Sequence, residues 1–484
     1  MTIIENRLAD LAQKSAALEP NETTRNEWLK ILQNYCNNYI NTLNEQPAFV
    51  QKNTINTSDL QIDNEKKSFD NLLEIFTKQV IDNGIKPSSG GHVGYIPGGG
   101  IYTSALSDYL AAISNEYAGI YYASPGAVSM ENELINWLKK LFHFPENAVG
   151  NLTSGGSIAN LIALTSARDA HQIKGEKIEK SVVYLSPQVH HCIHKALRII
   201  GLEDVIVHHL SLDEHFRIDT EKLEQQIKAD LAQGLEPFCL IASAGTTDTG
   251  AIDPLDVLGD ISKKYHTWFH IDGAYGGFFI LVDAKKEAFK GIEKADSLVI
   301  DPHKSLFLPY GLGAVLVKDK KAVFKSHHYF ADYMQDAFTD DTVNPADVSP
   351  ELTKHFRGLR LWLPLKLHGI EPFVACLEEK LVLTEYFRNQ LVEMGFKVGP
   401  QPDLSVSYFW YPVKEPSVQD KFNEVLMEAI HQDGDVFLSS TKIEGNYVIR
   451  MAILSFRTKK ETIDKALAMI ERCLTKTKNT FKKR

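Results

Sequence analysis

A lysine set between two apolar runs is the first residue in this chain with chemistry to offer. In DSLVIDPHKSLFLPYG an apolar stretch ends at Ile300, breaks at Asp301-Pro302, and resumes after His303 and Lys304. Flanks of this kind desolvate an amine, lower its pKa and make Lys304 a nucleophile able to form a Schiff base with an aldehyde. The plainer alternative is a lysine snorkelling from a strand end. Asp272 closes an apolar run in HIDGAYGG. A carboxylate there can salt-bridge the nitrogen of a heteroaromatic ring, and the small Gly273 and Ala274 let a flat ring approach. Taken alone, such an acid is as readily a turn or cap residue. In NLTSGGSIANLIAL, Ser154, Gly155, Gly156 and Ser157 precede a helical pattern. Open N–H groups at a helix start, with hydroxyls beside them, bind phosphate, although a serine there is also an ordinary N-cap. The run has neither a Walker lysine nor GxGxxG spacing, so it is not a nucleotide loop. SPQVHHCIHKALRIIG places His190 at the start of an amphipathic helix, where an imidazole can stack on a flat ring. His191 and His194 stand three residues apart and so share no i, i+4 pair, and no carboxylate motif accompanies them, so no metal site is expected.

The elements that must position these groups alternate. Short β-branched runs at 181–185, 204–207, 238–242, 268–271, 297–300 and 313–317 are separated by helical patterns at 157–172, 191–201, 219–233 and 254–265. That order predicts an α/β unit with a mostly parallel sheet flanked by helices. Ligands of such sheets sit beyond the carboxyl ends of the strands. A phosphate loop, a stacking histidine, a ring acid and a Schiff-base lysine follow one another along the chain, each in a loop predicted after a strand. Together they are the parts that pyridoxal 5′-phosphate (PLP) requires.

The rest of the chain sets the frame. Its 484 residues, 44% hydrophobic and 24% charged, suffice for a large core. A net charge of -10 offers no basic field to nucleic acid or anionic lipid. No apolar stretch approaches a membrane span, and the charged start MTIIENRLADLAQ does not read as a secretion signal. Five dispersed cysteines (Cys36, Cys192, Cys239, Cys376 and Cys473) fit a reducing cytoplasm. Residues 1–85 read as an N-terminal helical segment and 86–365 as the large α/β domain. Residues 366–484 read as a smaller C-terminal α+β domain, with helices at 371–394 and 417–432. Six glycines in PSSGGHVGYIPGGG, residues 87–100, predict an irregular loop lining something.

DPHKSLFLPYG, HIDGAYGG, SPQVHHCIHKA, AGTTDTGAIDP and HFRGLRLW resemble the motifs of the group II PLP-dependent decarboxylases, a family that includes aromatic L-amino acid and glutamate decarboxylases. The likeness covers roughly residues 70–475. It implies a type I PLP-dependent transferase fold. It also implies a homodimer with shared active sites, the N-terminal segment packing on the partner, and decarboxylation of an L-amino acid, with an aromatic one favoured. It puts Lys304 in the lysine position, Asp272 on the ring nitrogen, the stacking role on His190, and Thr246 near the ring, with Ala274 and His303 as further contacts. It also implies a lid at about 326–348, in which Tyr333, with Tyr329 as rival, would protonate the substrate carbon after CO₂ leaves. Ser305, Asp301 and the glycine-rich loop depart from the family pattern on the substrate side. Rival readings are an oxygen-dependent aldehyde synthase, a carbon–carbon lyase and a non-catalytic binding protein of the same fold.

Overall fold

A computed structural model describes residues 2–51, 55–328 and 342–482. Its centre is a seven-stranded sheet: β1 (Val149–Thr153), β2 (Ser181–Leu185), β3 (Ile206–His209), β4 (Glu236–Ser243), β5 (Trp268–Asp272), β6 (Ser297–Ile300) and β7 (Gly313–Val317). The spatial order is β1-β7-β6-β5-β4-β2-β3. Only β7 runs against its neighbours; the pairs joining β6, β5, β4, β2 and β3 are all parallel. Period-2 alternation sends Val182, Tyr184, Leu240, Ala242, Leu298 and Ile300 into one apolar layer. Val183, Leu185, Cys239, Ile241 and Val299 enter the other. The strands therefore read as unbroken apolar runs, because helices cover both faces. Helices Gly156–Ala170 and Cys192–Ile199 pack on the second layer, and Pro125–Leu141, Thr220–Ala232 and Leu255–Tyr265 on the first.

A second sheet follows: β8 (Lys397–Val398), β9 (Val406–Trp410), β10 (Ser439–Ile443) and β11 (Asn446–Ala452), all antiparallel in the order β8-β9-β11-β10. Helices Glu371–Glu393, Gln419–Asp433 and Lys460–Lys482 close over it around Phe387, Leu426, Ile430 and Ile470. Sequence reading missed β10. Its run SSTKI is polar because it lies at the sheet edge, where only alternate residues are buried. The two-residue loop Glu444-Gly445, both at positive φ, turns it into β11.

The glycine-rich segment is irregular, as expected, and crosses the Lys304 turn. Gly99 N–H donates to the Leu308 carbonyl at 2.9 Å, and Ile101 N–H to that of Phe307 at 3.1 Å. A Cβ on Gly99 would lie 2.2 Å from Phe307 backbone atoms, so only glycine allows this approach. No described helix is long and apolar enough to cross a membrane.

Candidate active site

The carboxyl ends of β1, β2, β4, β5 and β6 open on a cavity of about 240 Å³. Ser154, Gly155, Gly156, Ser157, His190, Thr246, Asp272, Ala274, His303 and Lys304 all line it. Those ten residues are every cofactor contact expected from the sequence. Tyr333 and its rival Tyr329 lie outside the described residues.

Each wall has a local cause. Asp272 ends β5, one strand period beyond His270, so both side chains share a face. Its Oδ1 accepts the Ala274 N–H at 3.0 Å and its Oδ2 the Asn160 amide at 3.3 Å. Gly155 caps the helix Gly156–Ala170 without any side-chain bond to the first turn. The helix start is thus left open beside the cavity, the arrangement that receives an anion. A Cβ on Gly156 would come within 2.9 Å of Asp301 and 3.3 Å of Ala274, filling that cradle. His190 precedes the helix Cys192–Ile199, and its Nδ1 accepts the Cys192 N–H at 3.3 Å. Burial pushes its pKa down, which favours the neutral ring. Burial does the same to His303, whose Nδ1 faces the Leu312 carbonyl.

Lys304 sits on the single helical turn Pro302–Ser305 directly after β6. Its amine is not depressed as its apolar flanks suggested. Burial pulls the pKa down, but the Asp301 carboxylate, 3.0 Å from Nζ, and then Asp272 together outweigh it and hold the amine above the ordinary lysine value. Asp301 is thus the lysine's ion-pair partner, three residues away on the same turn. Ser305 is also not where its position beside the lysine suggested. It is fully buried, donates to the Tyr275 carbonyl, and does not line the cavity.

Thr246 is buried, and its hydroxyl pairs with that of Thr249 at 2.8 Å. Thr249 spends its own proton on Gln188 at 2.7 Å, so the proton in that pair comes from Thr246. Asn160 and Gln188 line the cavity and were missed as site residues. Asn160 left a trace, as a lone amide within the apolar helical run SIANLIAL, one turn past Gly156. Arg360, in the HFRGLRLW motif, reaches the Asp108 carboxylate and the Tyr310 carbonyl, both at 2.8 Å, and so braces the segment after Lys304.

Residues 52–411 match the family described as the pyridoxal-dependent decarboxylase conserved domain. The chain belongs to this family. It is 36% identical to an aromatic-L-amino-acid decarboxylase of Bacillus atrophaeus, over 76% of this chain and 77% of that one. It is 29% identical to a phenylacetaldehyde synthase of Arabidopsis thaliana, over 78% and 80%. The structure of Oryza sativa TDC with PLP and tryptamine superposes with a TM-score of 0.89, covering 95% of this chain and 99% of that one at 21% identity. This pyridoxal-dependent decarboxylase has the type I PLP fold, and its cofactor is PLP. The cavity fits that group: an open helix start for an anion, a strand-end carboxylate and a lysine amine all line it.

Proposed function

We propose that this decarboxylase takes an aromatic L-amino acid to its amine and CO₂. The observation that carries the reading is the convergence of the ten expected contacts on one cavity. The likeness to an aromatic-L-amino-acid decarboxylase supports the aromatic substrate. PLP, when bound, supplies an aldehyde for the substrate amine and a ring that takes up the electrons left by the departing carboxylate. Lys304 would hold that aldehyde and return to it at product release. Asp272 would keep a proton on the ring nitrogen, and His190 would stack against the ring. Ser154, Gly155, Gly156 and Ser157 would hold the phosphate, with Thr246, Ala274 and His303 completing the wall. Tyr333 would deliver the proton to the substrate carbon.

The active molecule is proposed to be a homodimer. The helix Tyr102–Ser114 turns Tyr102, Leu106, Tyr109, Leu110 and Ile113 outward at helical spacing, with Ile113 71% exposed. A stripe of that kind on a folded chain supports a partner surface. The proposed division into 1–85, 86–365 and 366–484 puts the two sheets in separate units. Five unpaired cysteines support a reducing, cytoplasmic setting.

The test is CO₂ release from a panel of aromatic, acidic and aliphatic amino acids, with product analysis for amine against aldehyde and peroxide. Aromatic substrates should give CO₂ and amine in equal amounts. Lys304→Ala should lose both turnover and the visible absorbance of lysine-bound cofactor. Retention of both would remove Lys304 from the mechanism; aldehyde as main product would make the enzyme an aldehyde synthase.

A further inference from the structure

Behind Asp272 runs a chain of buried polar groups, Trp268, Ser297, His270 and Asn160, of which only Asn160 reaches the cavity wall. Trp268 and His270 share the face of β5 that carries Asp272, and Ser297 pairs with His270 across the ladder to β6. Asn160 descends from the helix Gly156–Ala170. Three links are short: Trp268 Nε1 to Ser297 Oγ at 2.8 Å, Ser297 Oγ to His270 Nδ1 at 2.8 Å, and His270 Nε2 to Asn160 Oδ1 at 2.7 Å; the last, Asn160 Nδ2 to Asp272 Oδ2, is longer at 3.3 Å.

Their direction follows from donor chemistry alone. An indole N–H only donates, so Ser297 accepts from Trp268 and has its own proton to give. His270 is fully buried, and burial pushes its pKa down to about 4, so its ring is neutral and carries one N–H. The Asp272 carboxylate only accepts, so Asn160 turns its NH₂ toward it and its Oδ1 toward His270. The single ring N–H is therefore on Nε2, and Nδ1 accepts from Ser297. The same Asn160 NH₂ also reaches Cys192 Sγ at 3.4 Å.

We propose that His270, acting through Asn160, is a positioning residue that fixes the Asp272 carboxylate for the ring nitrogen of the cofactor. The proposal rests on the reading of Asp272 as the ring partner. The relay leaves one Asp272 oxygen to the Asn160 amide and the other to the Ala274 N–H. The carboxylate therefore cannot rotate without breaking a charge-assisted bond. Other groups that face it electrostatically are His190, Cys192 and Lys304, and none of them is altered in the test.

The experiment compares His270→Phe, His270→Gln and Asp272→Asn with wild type. Cofactor-free protein is reloaded with PLP, and its dissociation constant and the pH midpoint of the visible band are measured beside the melting temperature of the unloaded form. His270→Phe removes the donor to Asn160 and should weaken PLP binding about tenfold or more, the worth of one hydrogen bond to a charged group. Its band midpoint should move to higher pH, because a ring nitrogen that loses its proton no longer repels the one on the lysine nitrogen. His270→Gln keeps a donor at the Nε2 position and should restore both values. Should His270→Phe fail to fold, Ser297→Ala, which releases the His270 ring from its tautomer, is read for the same shifts. Wild-type PLP affinity and band midpoint in His270→Phe overturn the relay. So do equal losses in Phe and Gln that track the melting temperature. If Asp272→Asn itself binds PLP as wild type does, the ring-partner reading fails instead.

Discussion

At the scale of single residues, the ion pair between Lys304 and Asp301 is the feature with most chemical consequence. Only a neutral amine attacks an aldehyde. Burial lowers the Lys304 pKa, but Asp301 and Asp272 raise it further, so the protonated form is favoured before the cofactor arrives. Asp301→Asn keeps the shape and removes the nearer charge; Asp301 Oδ1 has no hydrogen-bond partner among the described residues to lose. The Lys304 pKa then falls, and the pH midpoint for capture of PLP by unloaded protein moves to lower pH. At neutral pH capture should quicken severalfold, followed by stopped-flow absorbance; an unchanged pH profile would mean that Asp301 does not set the lysine's charge. The residue types were legible in the sequence. That Asp301 pairs with Lys304 was not, because a spacing of three residues says nothing about which way two side chains turn at a strand end.

At the scale of elements, alternation along β5 does double duty. Phe269 and Ile271 enter the core layer, while Trp268, His270 and Asp272 share the opposite face. The apolar run 268–271 was readable as a strand, and the acid at its end as a site residue. What the polar His270 was for became clear only when β6 and the helix Gly156–Ala170 were laid against it. The glycine-rich segment makes the same point. Its lack of regular structure is written in its composition, yet its contact is with the Phe307 backbone, some two hundred residues away. Gly99→Ala should cost about 1–3 kcal/mol, since a Cβ meeting backbone cannot be relieved by a rotamer. Denaturant melts of the unloaded protein check this, and a wild-type midpoint would show that the loop yields freely.

At the scale of the whole molecule, the exposed stripe on the helix Tyr102–Ser114 has no cover among the described residues. An interface built on it should be broken by a charge at its most exposed apolar position. Ile113→Glu is expected to halve the mass measured by light scattering and to lower CO₂ release with it. A variant with unchanged mass would move the interface elsewhere.

The sequence by itself determined ten of the groups that line the cavity and the order in which strands deliver them, though not Asn160 or Gln188. Both are written in local patterns, since apolar periods make strands and helices and glycine or proline breaks put reactive residues at strand ends. Tertiary structure alone decided the states of those groups. The charge on Lys304 depends on a carboxylate's position in space. The aim of Asp272 depends on an amide 112 residues distant in sequence and on the tautomer of a buried histidine. Hydrogen-bond direction and ion pairing act through ångströms of space, and residue spacing along a chain does not encode those distances.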